Sequence, residues 1–263
     1  MAMRRTTRRK LGRVAMYVLF VAVLAVVVLS ADWDRFAQYF LRWDIAREQF
    51  PQIITVALRN TLVFTVVSFV GGLVVGTVMA LMKLSSIGPY RWFATAYIEL
   101  FRGLPALLTI FAFAYMLPIA FGVRLPFAPV GAGLLGLVVV AGAYMAEVIR
   151  AGIQAVPKGQ TEASRSLGMS PMKTMFFVVL PQGLRIIIPP LTNEFVLLLK
   201  DTSLLFIAGS TIITKELTTF ARDATTTTSN GTVLVMAAML YLLVTIPLTR
   251  VVAYLERRMA RSR

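Results

Sequence analysis

Glu99 and Arg102, Asn193 and Glu194, and the run Lys200-Asp201-Thr202-Ser203 place polar and ionisable side chains inside stretches that are otherwise apolar. Ionisable groups at such positions are expensive, so they face a protein interior or a watery cavity. The chemistry open to them is recognition of charge along a pathway or filter. A plainer reading stands beside it. Lys200 and Asp201 would neutralise each other at a helix break, and Glu99 and Arg102, three residues apart, would pair on one helix face. Glu147 and Arg150 share that spacing. Catalytic chemistry is largely closed. The chain contains no histidine and no cysteine, which removes imidazole and thiolate metal sites, disulfides and any Ser-His or Cys-His pair. Its carboxylates are scattered, and no G-x-x-x-x-G-K-S/T phosphate loop is present, so it shows no ATP site of its own.

The elements that must position these groups are membrane spans. Of 263 residues, 58% are hydrophobic and 15% charged, against ~45–50% apolar and ~25% charged in soluble domains. The mean hydropathy is +0.77. A soluble core cannot absorb that much apolar surface, which excludes a soluble enzyme. A helix needs ~20 mostly apolar residues to cross a ~30 Å hydrocarbon layer. Charge-free stretches supply Val14–Ala31, Asn60–Met82, Leu125–Ala146 and Ala224–Thr249. A fifth span, from near Tyr90 to near Val123, carries Glu99 and Arg102 close to its beginning. The sixth begins near Arg185 and is interrupted by Glu194 and then by Lys200-Asp201, the mark of a working part or a broken helix. The expected fold is an all-α polytopic membrane protein of about six transmembrane helices.

Charge then orients the spans. Arg4, Arg5, Arg8, Arg9, Lys10 and Arg13 precede the first apolar run. A basic start of this kind also opens signal peptides, but the run exceeds the ~7–15 residues of a signal h-region and reads as a retained span. Six spans put both termini on one side. Eighteen Lys and Arg fall on that side and seven on the other, with Arg102 and Lys200 inside spans. The bias fits the positive-inside rule with both termini cytoplasmic. The net charge of +15 thus reads as a topology signal and an attraction for anionic lipid, with no stripe suited to nucleic acid. Asp32–Phe50, with Trp33, Phe36, Tyr39, Phe40 and Trp43, reads as an external interfacial amphipathic segment. Thr225–Thr228 falls in an expected external loop. Gly72 and Gly76 form a G-x-x-x-G face suited to close helix packing, within one subunit or between two. No internal repeat is visible, which weighs against a self-contained secondary transporter.

The loop between the spans near 150–181 is built like a short helix between breakers. Pro157-Lys158-Gly159 opens it, Gln160–Leu167 is helix-compatible, Gly168 supplies a left-handed stop, and Ser170-Pro171 restarts the chain toward the next span. Ala163, Ser164 and Ser166 are small enough for another surface to approach closely. Leu167 offers an apolar anchor, and Glu162 and Arg165 a charged rim. An ordinary cytoplasmic helical hairpin has the same spacing.

Glu162-Ala163-Ser164, Gly168 and Leu180-Pro181 closely resemble the EAA loop of ABC importer permeases. The surrounding segments narrow the resemblance to the polar amino-acid uptake permeases: Asn60-Thr61-Leu62, Glu99-Leu100-Phe101-Arg102-Gly103-Leu104-Pro105, Ala143-Tyr144-Met145-Ala146-Glu147-Val148-Ile149-Arg150, Pro157-Lys158-Gly159-Gln160, Leu180-Pro181-Gln182, Lys200-Asp201-Thr202-Ser203-Leu204 and Leu255-Glu256-Arg257-Arg258. They run in the expected order from about Asn60 to Arg258. The chain departs from the pattern at Ser164, where a second Ala is usual, at Leu104, often Thr, and at Phe206, which stands where the motif often continues with a smaller residue. The first span and Asp32–Phe50 extend beyond the family's usual five-span core.

The resemblance implies a type I ABC importer permease fold with an extra N-terminal span: residues 1–50 as basic tail, first span and interfacial segment, and residues 51–263 as permease core. It implies a bacterial cytoplasmic membrane location. ATP and Mg would be bound by separate ATPase subunits docking on Glu162, Ala163, Ser164, Leu167 and Gly168, with no cofactor in this chain. A second permease copy or paralogue would complete the pathway, and a solute-binding protein would deliver the amino acid. A zwitterionic substrate needs partners for both carboxylate and ammonium, and Glu99, Arg102, Asn193, Lys200, Asp201, Thr202 and Ser203 are the candidates. An ion channel or ATP-independent carrier would use the same polar groups as a filter but leaves the Glu162–Gly168 loop without a purpose. A membrane-embedded enzyme lacks a supporting motif.

Overall fold

The computed structural model describes residues 5–122 and 125–260, with side chains described from Arg13 to Met259. Arg4, Val123, Arg124, Arg261 and Arg263, and the side chains of Arg5, Arg8, Arg9 and Lys10, lie outside the described residues. Every regular element among the described residues is helical. The chain runs through α1 (Arg5–Ser30), α2 (Trp33–Phe40) and α3 (Trp43–Gln52), which passes through a π-helical turn at Ile53–Leu58 into α4 (Arg59–Leu84). It continues through α5 (Gly88–Gly103), α6 (Ala106–Phe111), a π turn, α7 (Leu117–Phe121), α8 (Val130–Gln154), α9 (Lys158–Ser166) and α10 (Pro171–Thr174). A further π turn leads into α11 (Leu180–Asp201) and a 3₁₀ segment at Thr202–Ala208, followed by α12 (Leu217–Thr228) and α13 (Thr232–Ala260). Among the described residues, five helical runs are long and apolar enough to cross a membrane, or six if α5 with α6–α7 counts as one.

That last pair corrects the expected fifth span. The chain bends by 107° between α5 and the α6–α7 run. Pro105 lacks an N–H and pushes the preceding residue out of the helical region, and Leu104 accordingly sits at φ −88°, ψ 141°. The sixth span is also corrected. Glu194 does not interrupt it: α11 runs through Glu194, and through Pro189 and Pro190. An ionisable side chain costs solvation but removes no backbone hydrogen bond, so the helix continues. The change of structure comes at Asp201, where the α-helix tightens into the 3₁₀ segment. Thr225–Thr228, expected in a loop, form the last turn of α12. Their hydroxyls donate to the carbonyls four residues back, Ala221, Arg222, Asp223 and Ala224, at 2.8–3.0 Å, which satisfies them within the helix.

The centre of the fold is the α4–α8 contact. Along α4 the buried face is Thr61, Thr65, Ser68, Gly72, Gly76 and Ala80, small residues at steps of three and four that let two backbones approach. Thr61 and Thr65 donate their hydroxyls to the Ala57 and Thr61 carbonyls at 2.9 and 2.7 Å. The large side chains Val63, Val66, Val70, Val74 and Val78 point outward, toward what would be lipid. Gly72 and Gly76 meet α8: a Cβ on Gly76 would stand 2.9 Å from the Met145 Cβ and 3.0 Å from the Ala146 N. Of the two uses open to the G-x-x-x-G face, the structure shows packing within one chain. At the α8 N-terminal end, Ile110, Leu137, Leu198 and Leu205 close a core between α6, α8, α11 and the 3₁₀ segment. At its C-terminal end, Ala80, Ile98, Ile149, Ile153 and Ile187 do the same between α4, α5, α8 and α11. By contrast α1 is exposed along its described length, and the Trp33 indole N–H donates back to the Val28 carbonyl at 2.7 Å where α1 meets α2.

Candidate functional site

The loop after α8 is a self-contained rigid unit. Pro157 precedes α9, where its lack of an N–H costs nothing. At the other end the Gly168 N–H bonds to the Arg165 carbonyl (3.0 Å) and the Met169 N–H to the Ser164 carbonyl (3.2 Å), the paired bonds of a Schellman cap. Gly168 adopts φ +82° with open space where a Cβ would sit, so glycine is there for its backbone conformation. The Arg165 guanidinium also donates to the Met169 carbonyl. The Ser170 side chain accepts from the Lys173 N–H and starts α10.

The faces of α9 divide sharply. Ser164 is buried, donating to the Thr161 carbonyl at 2.9 Å and lying 3.2 Å from the Thr174 hydroxyl of α10. It therefore belongs to the inner wall of the loop. Glu162, Ala163 and Gly168 are exposed, and Leu167 is 84% exposed, an apolar side chain standing out from a polar helix. Beneath this loop Glu147 ties α8 to α4. It accepts from Lys83 at 3.2 Å and from the Arg150 Nε at 3.0 and 3.1 Å, and Arg150 also reaches Gln154. The Glu147–Arg150 pairing matches the spacing argument; the Lys83 contribution, 64 residues away in sequence, does not show in any local pattern.

The polar residues of α5, α11 and the 3₁₀ segment fall differently. Among the described residues no ion pair within 4 Å joins Glu99 to Arg102 or Lys200 to Asp201, although the Lys200 charge still acts on Asp201. Arg102 instead places its guanidinium carbon 5.5 Å from the centre of the Tyr144 ring, a cation–π contact. Glu194 of α11 lies within electrostatic reach of Arg102 and Asp201. Glu99, Arg102, Asn193 and Lys200 are exposed, Asp201 and Ser203 half-buried. Thr202 is buried, and its hydroxyl donates to the Leu199 carbonyl at 2.7 Å, so it serves the helix transition. The structure thus gathers Arg102, Glu194 and Asp201 and leaves Glu99 without a partner among them. No group of three acidic residues suited to a metal occurs among the described residues.

A third node lies at the opposite end of the bundle from α9. Glu216 is buried and caps α12, accepting from the Thr218 N–H (2.7 Å), the Thr219 N–H (2.6 Å), the Thr219 hydroxyl (2.5 Å) and the Tyr241 hydroxyl of α13 (3.3 Å). Burial pushes its carboxyl above the ordinary range, against the pull of those donors. The segment before it is held by Asn60, which donates to the Ile213 and Lys215 carbonyls at 2.8 and 2.9 Å, and by Thr61, which accepts from the Leu217 N–H at 3.1 Å. The Asn60-Thr61 dipeptide therefore has a structural task.

Comparison with known proteins identifies the family of the chain. The family model described as the inner membrane component of binding-protein-dependent transport systems matches residues 72–261. The chain belongs to that family. The L-cystine transport system permease protein TcyB of Bacillus subtilis (strain 168) is 36% identical over 83% of this chain and 92% of its own. The probable glutamine ABC transporter permease protein GlnM of the same organism is 39% identical over 77% of this chain and 91% of its own. Among solved structures, an amino acid ABC transporter crystallised with histidines superposes with a TM-score of 0.72 at 35% identity, covering 80% of this chain and 95% of that one. The fold is that of a type I ABC importer permease with an additional N-terminal helix, and the chain is a membrane-embedded permease. Sequence reading of this permease missed Glu216, because glutamate is outside the usual capping set. It also missed Tyr144 as the partner of Arg102, although both residues stand in the quoted motifs.

Proposed function

We propose that this permease is the transmembrane subunit of an ATP-driven importer for polar amino acids. The observation that carries the reading is α9 with its Schellman cap: a short, self-rigid helix that exposes Glu162, Ala163, Leu167 and Gly168 at one end of the bundle. A separate ATPase subunit docks there, binds the ATP and Mg that this chain has no loop to hold, and on closing pushes or pulls α9 as a lever. Ser164 stiffens the lever from inside through Thr174, and the Lys83–Glu147–Arg150 tie passes the displacement to α4 and α8. The α9 end is cytoplasmic, by the excess of Lys and Arg there, and both termini lie on that side. Residues 51–263 form the working core, and residues 1–50 are an addition to it.

A second permease copy or paralogue faces the α5–α11 surface and completes the pathway. Glu99, Arg102, Asn193, Lys200, Asp201, Thr202 and Ser203 line or shape it, with Arg102 suited to a carboxylate and Glu194 and Asp201 to an ammonium group. A solute-binding protein delivers substrate at the α12 end. The relatives named for cystine and glutamine support the amino-acid class. The test is purification of the chain from its native membranes in mild detergent, with mass spectrometry of what accompanies it. A P-loop ATPase with a second permease or a solute-binding protein is the expected result. An intact oligomer of this chain alone, recovered reproducibly without an ATPase, overturns the reading in favour of a channel or carrier.

A further inference from the structure

The N-terminal helices pack against the far end of the bundle and create a groove there. At the α12–α13 corner the Gly231 N–H bonds to the Tyr39 carbonyl (2.8 Å), the Asn230 side chain to the Gln38 carbonyl (3.0 Å) and the Arg42 N–H to the Thr232 hydroxyl (2.9 Å). These three bonds pin the α2–α3 elbow against the start of α13. Alongside them a groove of about 950 Å³ opens between α3 and α13. On one wall Trp43, Arg47 and Phe50 share a helix face at steps of four and three; on the other are Val235 and Met239. From Thr232 to Leu240 the groove descends α13 by eight residues, or about 12 Å at the helical rise.

We propose that this groove binds an anionic glycerophospholipid, with an acyl chain between α3 and α13 and the phosphate against Arg47. Three observations favour that occupant. The aromatic residues of α2 and α3 put the groove mouth at the membrane interface, so its apolar walls lie at the depth of acyl chains. Arg42 is already held by Asp44, at 2.9 and 2.6 Å, whereas Arg47 is exposed and has no carboxylate within 4 Å among the described residues. A phosphate oxygen of an anionic headgroup supplies that cation with a charge-assisted bond at the depth where the groove opens. The helix α1 does not fill the groove either, because it is exposed along its described length.

The experiment uses the full chain with Trp33→Phe and Trp92→Phe, leaving Trp43 as the reporter, in phosphatidylcholine vesicles. Brominated phosphatidylglycerol and brominated phosphatidylcholine are added in separate series at equal mole fractions, and Trp43 quenching is read. The expected preference for phosphatidylglycerol is about fivefold, the effect of one cation near an anionic headgroup. Arg47→Gln abolishes the preference while quenching persists, and Ala46→Phe, which fills the groove, lowers quenching by both lipids. Equal quenching by the two lipids in the parent, or a preference that survives Arg47→Gln, overturns headgroup recognition. Weak quenching by both lipids, unchanged by Ala46→Phe, overturns the site, because no acyl chain then occupies the groove. Arg47→Gln alters an exposed side chain, so the test stands even where Ala46→Phe fails to fold.

Discussion

Leu167→Ser removes the one large apolar side chain that α9 offers to a partner, and its consequence can be worked from the structure. Leu167 is 84% exposed, so nearly all of its transfer free energy is unspent within this chain. Full burial of a leucine against another protein is worth about 1.5–3 kcal/mol. If the ATPase buries it, the substitution weakens docking by about 10- to 100-fold, at about 1.4 kcal/mol per decade. The permease itself loses little, because exposed substitutions usually change stability by less than about 0.5 kcal/mol. The assay is binding of the purified ATPase subunit to the permease in lipid nanodiscs, with thermal unfolding of the permease alone as control. Transport-coupled ATP hydrolysis should fall in parallel. A correctly folded Leu167→Ser permease with parental ATPase affinity and coupling would refute the assignment of this face of α9, whatever else the chain does.

Glu147→Ala leaves Lys83 and Arg150 as neighbouring part-buried cations without their shared carboxylate; the expected loss is about 1.5–3 kcal/mol, read as a lower melting temperature in detergent. Gly76→Ala drives a methyl group to 2.9 Å from the Met145 Cβ, and the overpacking should cost about 1–3 kcal/mol; an unchanged melting temperature would mean that α4 and α8 separate easily. Glu216, held above its ordinary range by burial, binds its proton more tightly folded than unfolded. Its contribution to stability is therefore full below the unfolded value of ~4.3 and is lost as the pH rises through the folded value. Glu216→Gln should flatten that part of the melting-temperature profile, and a decline of parental steepness in the variant would show that another group causes it.

Most of the architecture was legible because membranes impose coarse rules. Charge-free runs located spans, since a charge in hydrocarbon is costly whatever the tertiary structure, and the breakers Pro157 and Gly168 bounded α9, since their backbone preferences are local. The errors arose where a local pattern has two physical solutions. Glu194 looked like a break, but a helix tolerates a half-buried ionisable side chain that lies within electrostatic reach of Arg102. The threonines 225–228 looked like a loop, but their hydroxyls bond back to their own helix. The Pro105 bend was present in the residues and was read as part of one span, because the length of the apolar run outweighed the proline.

Residue types and their order alone determined the family resemblance, the membrane class, the absence of histidine and cysteine chemistry, and the position of the α9 loop. Tertiary structure alone decided which side chains meet. It paired Glu147 with Lys83 as well as Arg150, set Arg102 over Tyr144 instead of Glu99, turned Ser164 inward and Leu167 outward, and used Asn60 and Glu216 to fasten the α12 end. The physical reason is the range of the forces involved. Hydrophobic length, backbone propensity and helix breaking act within a few residues of the chain, whereas hydrogen bonds and charge contacts between helices depend on rotations and crossings that only packing fixes.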